Sequence, residues 1–375
     1  MTSVRRRTWT APDGEERTAW LVDYRDAAGK RRSKQFARKK DADAWRVTAE
    51  HQVATGTHTP DSESITVEKA GEQWLKGLRT MRDDPLEPTT IAAYDQHIRL
   101  HINPRMGAQR LSQLTAPAVR RFLDSLMKDL SRPMAVRVFR TFKALITDAQ
   151  ERGQVAQNVA LAVKIRKAPR ERSKATPPPK DDLKAILIAA AKSEDAKARA
   201  IVELAIFTGM RASELRGLPW SNLDLREGTV RIDQRADAKG LIGPPKSGAG
   251  NRTISLPPRV VKVLKEWKLA CPAHEADLVF PSAKGKPLSH HVLMKFHVAP
   301  LLAAAGTPHH GMHAFRHAAA SLWIEQGLNP KRVQTLMGHR SIQVTFDTYG
   351  HLFEQRDRDA SDAAAIERAL FGDAT

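Results

Sequence analysis

Three consecutive prolines, Pro177-Pro178-Pro179, do most to limit how this chain can fold. Proline has no backbone N–H and a fixed φ, so no helix or central strand runs through them. A Pro-rich stretch is instead an extended, semi-rigid spacer. These prolines close a run that carries Lys164, Arg166, Lys167, Arg170, Arg172 and Lys174. Residues 167–180 are therefore expected to be a basic linker between an N-terminal part and a C-terminal domain, residues 181–375. A chain of 375 residues has room for two or three domains. Its 41% hydrophobic content is enough for packed cores and excludes wholesale disorder.

The charge points to the partner. Lys plus Arg number 61 and Asp plus Glu 42, a formal net charge of +19. Residues 1–60, 61–170 and 171–375 carry +5, +7 and +7, so no basic tail accounts for it. A chain positive in every segment suits a polyanion, and nucleic acid is the first candidate. The lone Cys271 excludes an internal disulfide framework and a Cys-rich zinc module. No apolar run approaches the roughly 18 residues of a membrane span, and MTSVRRRTWT has no apolar stretch behind it. An intracellular, cytoplasmic, nucleoid-associated protein without membrane contact is expected.

Residues 1–60 read as a small α+β unit. Trp20, Val22 and Tyr24 alternate with Leu21, Asp23 and Arg25, a strand signal, and a second strand runs from Arg32 to Phe36. Ala42, Trp45 and Ala49 then recur at helical spacing. The hairpin between the strands carries Lys30, Arg31, Arg32 and Lys34, which suits either a solvated edge or entry into a DNA groove. Residues 64–153 hold four amphipathic helices, in a domain expected to span 64–166. One follows Thr66, one runs from Thr89 to Asn103-Pro104, one opens at Thr115-Ala116-Pro117, and one ends at Gly153. Beyond the linker the pattern is mostly helical, with strands at Thr229–Ile232 and Arg252–Leu256.

Four clusters in the last domain carry chemistry-bearing side chains. In Thr208-Gly209-Met210-Arg211-Ala212-Ser213-Glu214-Leu215, Gly209 ends an apolar helix and Arg211 opens another, beside Glu214 as a capping partner. Lys246 lies in a hairpin, Pro244-Pro245-Lys246-Ser247-Gly248. In His313-Ala314-Phe315-Arg316-His317, His313 and Arg316 share a helix face. His313 and His317 have zinc-ligand spacing, but Ala314 stands where a metalloprotease helix needs Glu, and no further ligand completes a set. Leu336-Met337-Gly338-His339-Arg340 is followed ten residues on by Tyr349-Gly350-His351.

In this order the clusters TGMRASEL, PPKSGAGNRTISLP, HAFRH and LMGHRSIQVTFDTYGHL resemble the tyrosine recombinase (phage integrase) family. The resemblance implies a multidomain, mainly α protein. It would have a small α+β arm-type DNA-binding domain with a three-stranded sheet, a four-helix core-binding domain, and a mostly helical catalytic domain with a small antiparallel β-sheet. It implies attack on DNA by Tyr349, giving a 3′-phosphotyrosyl link and a free 5′-hydroxyl. Arg211 and Arg316 would clamp the phosphate, since a guanidinium fork matches its oxygens and stays charged. His313 would be the base or proton relay, His339 a hydrogen-bond partner of the phosphate, and Lys246 the acid for the leaving 5′-oxygen. Lys30, Arg31, Arg32, Lys34, Lys164, Arg166 and Lys167 are expected to bind DNA. Neither metal, ATP nor another cofactor is expected.

The expected partners are double-stranded DNA bearing core-type and arm-type attachment sites and, on it, a homotetramer, with DNA-bending and directionality accessory proteins. The expected role is integration and excision of a mobile element such as a prophage. A type IB topoisomerase shares the chemistry but has no need of a second class of DNA site. A non-catalytic DNA-binding regulator has no need of the filled catalytic positions. The tail, residues 352–375, has three basic and six acidic side chains and a helical stripe of Ala363, Ile366 and Leu370, so it is expected to pack on protein.

Overall fold

The computed structural model describes residues 2–26, 29–56, 60–61, 64–81, 83, 85–166, 177–245 and 247–354. Lys167, Lys246 and the expected tail contacts beyond Glu354 lie outside the described residues. The chain divides into two compact units, Met1–Arg170 and Glu171–Thr375. The expected N-terminal and four-helix domains fall together in the first.

The first unit begins with an antiparallel meander: β1 (Ser3–Thr10), β2 (Glu16–Arg25) and β3 (Arg31–Phe36). The helix Lys39–Ala54 covers one face, burying Ala42 and Ala49, with Trp45 edge-on to Tyr24 at 5.1 Å. β1 escapes the strand periodicity because Arg5, Arg6 and Arg7 interrupt any apolar alternation. It forms because β2 supplies eight paired positions, Ser3↔Asp23 through Thr10↔Glu16. The period of two sorts the basic side chains by face. Lys34 and Arg32 share the helix-covered face with Tyr24 and Val22: Lys34 ion-pairs with Asp61 at 2.7 Å, and Arg32 with Asp26 at 2.9 Å. Arg5, Arg7, Arg17, Arg25 and Arg31 occupy the opposite face. The expected pairing of Arg32 and Lys34 with DNA thus meets a sheet that turns both inward onto carboxylates.

The helical part of this unit is built from Val67–Thr80, Pro88–Met106, Ala116–Asp129 and Arg132–Glu151. Thr66 and Thr115 cap their helices through Lys69 N and Ala118 N, as a side-chain oxygen at that position should. The second helix does not stop at Asn103-Pro104. A wider turn over Ile98–Ile102, closed by Asn103 N–H on Ile98 O, carries the chain past the proline to Met106. Phe122, Phe139 and Phe142 form the centre of the core, with ring centroids 5.1–6.4 Å apart.

In the second unit the apolar helix Ala196–Thr208 is the central element, packed by Lys180–Lys192, Pro258–Ala270 and Met312–Glu325. A three-stranded sheet has the order β4 (Leu223–Asp224), β5 (Thr229–Ile232), then a strand Arg252–Ser255. Between the last two strands of that sheet comes a separate hairpin, β6 (Arg235–Ala236) with β7 (Ile242–Gly243), so Arg252–Ser255 is β8. Its turn lies at residues 237–241, where Asp237 Oδ1 accepts from the backbone of Lys239 and Leu241. β5 and β8 pair antiparallel, as expected for the strands on either side of the Gly/Pro-rich segment, and this small hairpin is part of the connection between them. Among the described residues no helix is long and apolar enough to cross a membrane.

Candidate active site

The site is organised around one helix C-terminus. The last carbonyls of a helix have no partner within it and carry partial negative charge. At the end of Pro330–Met337, three successive carbonyls each receive a guanidinium. Arg252 Nε donates to Leu336 O at 2.7 Å, Arg316 Nη2 donates to Met337 O, and Arg211 Nη2 donates to Gly338 O at 3.1 Å. Three cations that would repel one another in isolation are thereby gathered within one small volume.

A buried carboxylate balances them. Glu214 accepts from Arg252 at 2.8 and 3.1 Å and from Arg211 Nη1 at 2.7 Å, and its Oε2 also caps Arg211 N–H at 2.9 Å. Burial alone would push the Glu214 carboxyl up, but hydrogen bonds and charge from Arg252, with Arg211 behind, hold it down at about 2. Arg316 is 2% exposed. Burial and the neighbouring Arg211 push its guanidinium down to about 9, which leaves it charged at neutral pH. Its Nη1 donates to Gly209 O at 2.7 Å, at the point where Ala196–Thr208 ends. Gly209 has φ +58°, and a Cβ there would stand 3.0 Å from Ala319 Cβ, so glycine satisfies both the turn and the close approach.

Arg252→Met tests this arrangement. It strands Glu214 in the interior without its main partner, and breaking such a buried pair costs about 3–5 kcal/mol in urea unfolding. Adding Glu214→Gln removes the stranded charge and should recover part of that loss. If the double variant is no more stable than Arg252→Met alone, the carboxylate is not what the arginine neutralises.

Tyr349 comes from the helix Ile342–Glu354 and is 1% exposed, its ring packed with Ala320, Ile324, Val333 and Met337. Its hydroxyl is 2.8 Å from His317 Nδ1. Burial pushes the phenol up to about 12, although Arg316 pulls the other way. His339 lies parallel to the Tyr349 ring at 6.4 Å and bonds through Nδ1 to Thr345 Oγ1 at 3.0 Å. Burial and the charges of Arg316, Arg211 and Arg252 push the His339 imidazole down to about 4. His313 meets His317 edge-on at 4.5 Å; burial, Arg316 and Arg211 lower its pKa too.

Arg211, His313, Arg316, His339 and Tyr349, more than 130 residues apart at the extremes, are thus brought to one place. Lys246 lies outside the described residues, but the segment after it is anchored by Arg252, which donates to Gly250 O at 2.9 Å. Two contributors, Arg252 and Thr345, were not singled out from the sequence, and a third, His317, was weighed there only as a zinc ligand beside His313. Arg252 carries a signal, because it shares a strand face with buried Ile254 and therefore points inward. His317 is one turn from His313, and Thr345 one turn before Tyr349. Of the other basic candidates, Arg31, Lys164 and Arg166 are exposed, and the Lys30 backbone closes the hairpin turn onto Asp26 Oδ1.

Comparison with known proteins agrees with this architecture. Residues 179–356 match the Phage integrase family and residues 66–127 match the Phage integrase, N-terminal SAM-like domain. A tyrosine recombinase XerC-like protein of Caldanaerobacter subterraneus subsp. tengcongensis is 25% identical over 366 residues, covering 90% of this chain and 92% of that one. The prophage integrase IntR of Escherichia coli is 27% identical over 208 residues, half of each chain. In fold, the chain is similar to a Tn1549 transposon integrase in complex with transposon right end DNA (TM-score 0.64, 19% identity, 82% of this chain and 100% of that one). It is also similar to a lambda integrase tetramer bound to a Holliday junction (TM-score 0.57, 20% identity, 89% and 95%). With both domain types matched, over well more than half of its length, the chain belongs to the phage integrase family of tyrosine recombinases.

Proposed function

We propose that this protein is a site-specific DNA recombinase that cuts and rejoins DNA through a covalent 3′-phosphotyrosyl link on Tyr349, to integrate and excise a mobile element such as a prophage. The observation that carries this is the gathering of Arg211, Arg316 and His339 at one helix end, with Tyr349 beside them. A phosphodiester under attack concentrates charge on its non-bridging oxygens, and donors fixed beforehand stabilise that charge without reorganising. The carbonyls of Gly209, Met337 and Gly338 and the carboxylate of Glu214 do the fixing. Arg211, 39% exposed in its side chain, reaches the phosphate first. His339 has Nδ1 occupied by Thr345, so Nε2 is the nitrogen left for the phosphate. Lys246 is the acid proposed for the 5′-oxygen.

Arg316 and Tyr349 are both buried, so the scissile phosphate has to gain access to them before attack. The basic face Arg5, Arg7, Arg17, Arg25 and Arg31 is proposed to hold arm-type sites, while the four-helix and catalytic units hold core sites at the nucleoid, four protomers acting on two paired duplexes. Incubation with paired attachment-site DNAs in EDTA should give recombinants. Relaxed circles alone would favour a topoisomerase, and no cleavage would favour a regulator. Removing residues 1–60 should abolish protection of arm sites while core-site footprints remain. An unchanged footprint on the full site would contradict the arm assignment.

A further inference from the structure

The Tyr349 hydroxyl has a hydrogen-bond partner to which the family resemblance assigns no role. His317 follows Arg316 on the helix Met312–Glu325, and its Nδ1 stands 2.8 Å from Tyr349 Oη. The rings meet edge to face with centroids 5.6 Å apart. His313, the residue expected to take the proton, contacts His317 rather than the tyrosine. His339 has Nδ1 committed to Thr345, and Glu214 is held by two arginines. The imidazole already on the nucleophile's oxygen is that of His317.

Building on the assignment of Tyr349 as nucleophile, we propose that His317 is the proton acceptor of the cleavage step. Tyr349 Oη forms its bond to phosphorus as its proton passes to His317 Nδ1. The bond from phosphorus to the 5′-oxygen breaks, and that oxygen takes a proton from a separate acid, for which Lys246 is the candidate. In rejoining, the 5′-hydroxyl gives its proton back to that acid and attacks phosphorus. The bond from phosphorus to Tyr349 breaks, and His317 returns its proton to the phenolate. The cycle balances with no added reactant.

The surroundings set when this proton can move. Around His317 stand His313 and Arg316 from its own helix, Tyr349 from the last helix and His339 from the loop before it. Burial, then His313 and Arg316, push the His317 imidazole down to about 4, while the phenol is up at about 12. The proton therefore stays on Tyr349 while no DNA is bound. A phosphodiester held by Arg211 and Arg316 supplies the opposite charge that favours an imidazolium. As Oη becomes an ester oxygen it also loses its hold on the proton, so transfer accompanies bond formation. His317 is a base matched to the reacting complex, not to the resting one.

Single-turnover cleavage by the full chain tests this, using DNA with oxygen or sulfur at the bridging 5′ position of the scissile phosphate. His317→Asn can still accept a hydrogen bond near the place of Nδ1 but cannot hold a proton. It should form adduct about 100-fold or more slowly on both DNAs, with DNA affinity unchanged. Lys246→Ala should be slow on the oxygen DNA and restored on the sulfur DNA, because a thiolate leaves without a proton. A wild-type rate for His317→Asn, or a loss that sulfur restores, overturns the proposal. A wild-type chain that forms no adduct overturns the nucleophile assignment beneath it. Nitrogen-15 NMR of the histidine-labelled wild-type chain is independent of any variant. It should find the proton of His317 on Nε2, and a proton on Nδ1 overturns the proposal.

Discussion

A chain carrying Tyr349→Phe should bind attachment-site DNA as tightly as the parent and form no covalent adduct with it. The substitution removes one oxygen and keeps the ring that packs with Ala320, Ile324, Val333 and Met337. The stability lost is that of the single hydrogen bond to His317, about 1 kcal/mol. Tyr349→Ala would confuse the result, since it also empties the cluster that holds the last helix. Gel-shift titration alongside adduct formation on denaturing gels separates the two effects. An adduct that persists in the Phe variant would move the nucleophile to another residue.

Arg316→Ala should slow cleavage by about a thousandfold or more, the scale on which removing a transition-state donor acts. Stability falls too, because the carbonyls of Gly209 and Met337 lose their buried donor. Arg316→Lys separates charge from geometry. An ammonium preserves the charge but cannot span two carbonyls and still present a planar fork to phosphate. Single-turnover rates should therefore recover only partly, with core-site binding near normal. Full recovery with Lys would make Arg316 a source of field rather than a clamp.

The side chains proposed for catalysis stood out in the sequence because each sits in a short stretch whose local form the residues dictate. Gly209 and Gly338 both adopt the left-handed conformation that ends a helix, at φ +58° and +61°, and each is soon followed by a proposed site residue, Arg211 or His339. The four-helix unit was legible for the same reason, with Thr66 and Thr115 marking helix starts that the structure bears out. What the sequence could not display was convergence. Nothing local to Arg252 says that it meets Glu214, 38 residues away, and the carbonyl of Leu336, 84 away. The sorting of basic residues in the N-terminal sheet was hidden likewise. It depends on register, and a period of two sends Arg31 outward and Arg32 inward onto Asp26. The turn at residues 237–241 was missed because Asp237 builds it through side-chain bonds to the backbone, a device less visible than the proline pair that follows.

The central claim is that this chain joins itself to DNA through Tyr349, and peptide mapping of the trapped complex tests it most directly. A nicked suicide substrate lets the short 5′-hydroxyl strand diffuse away, so the covalent complex accumulates. Trypsin then releases the segment between Arg340 and Arg356, which contains Tyr349. Mass spectrometry should find the 3′-phosphate of the retained strand on Tyr349. An adduct on any other residue, or cut DNA with no protein attached, would contradict the account.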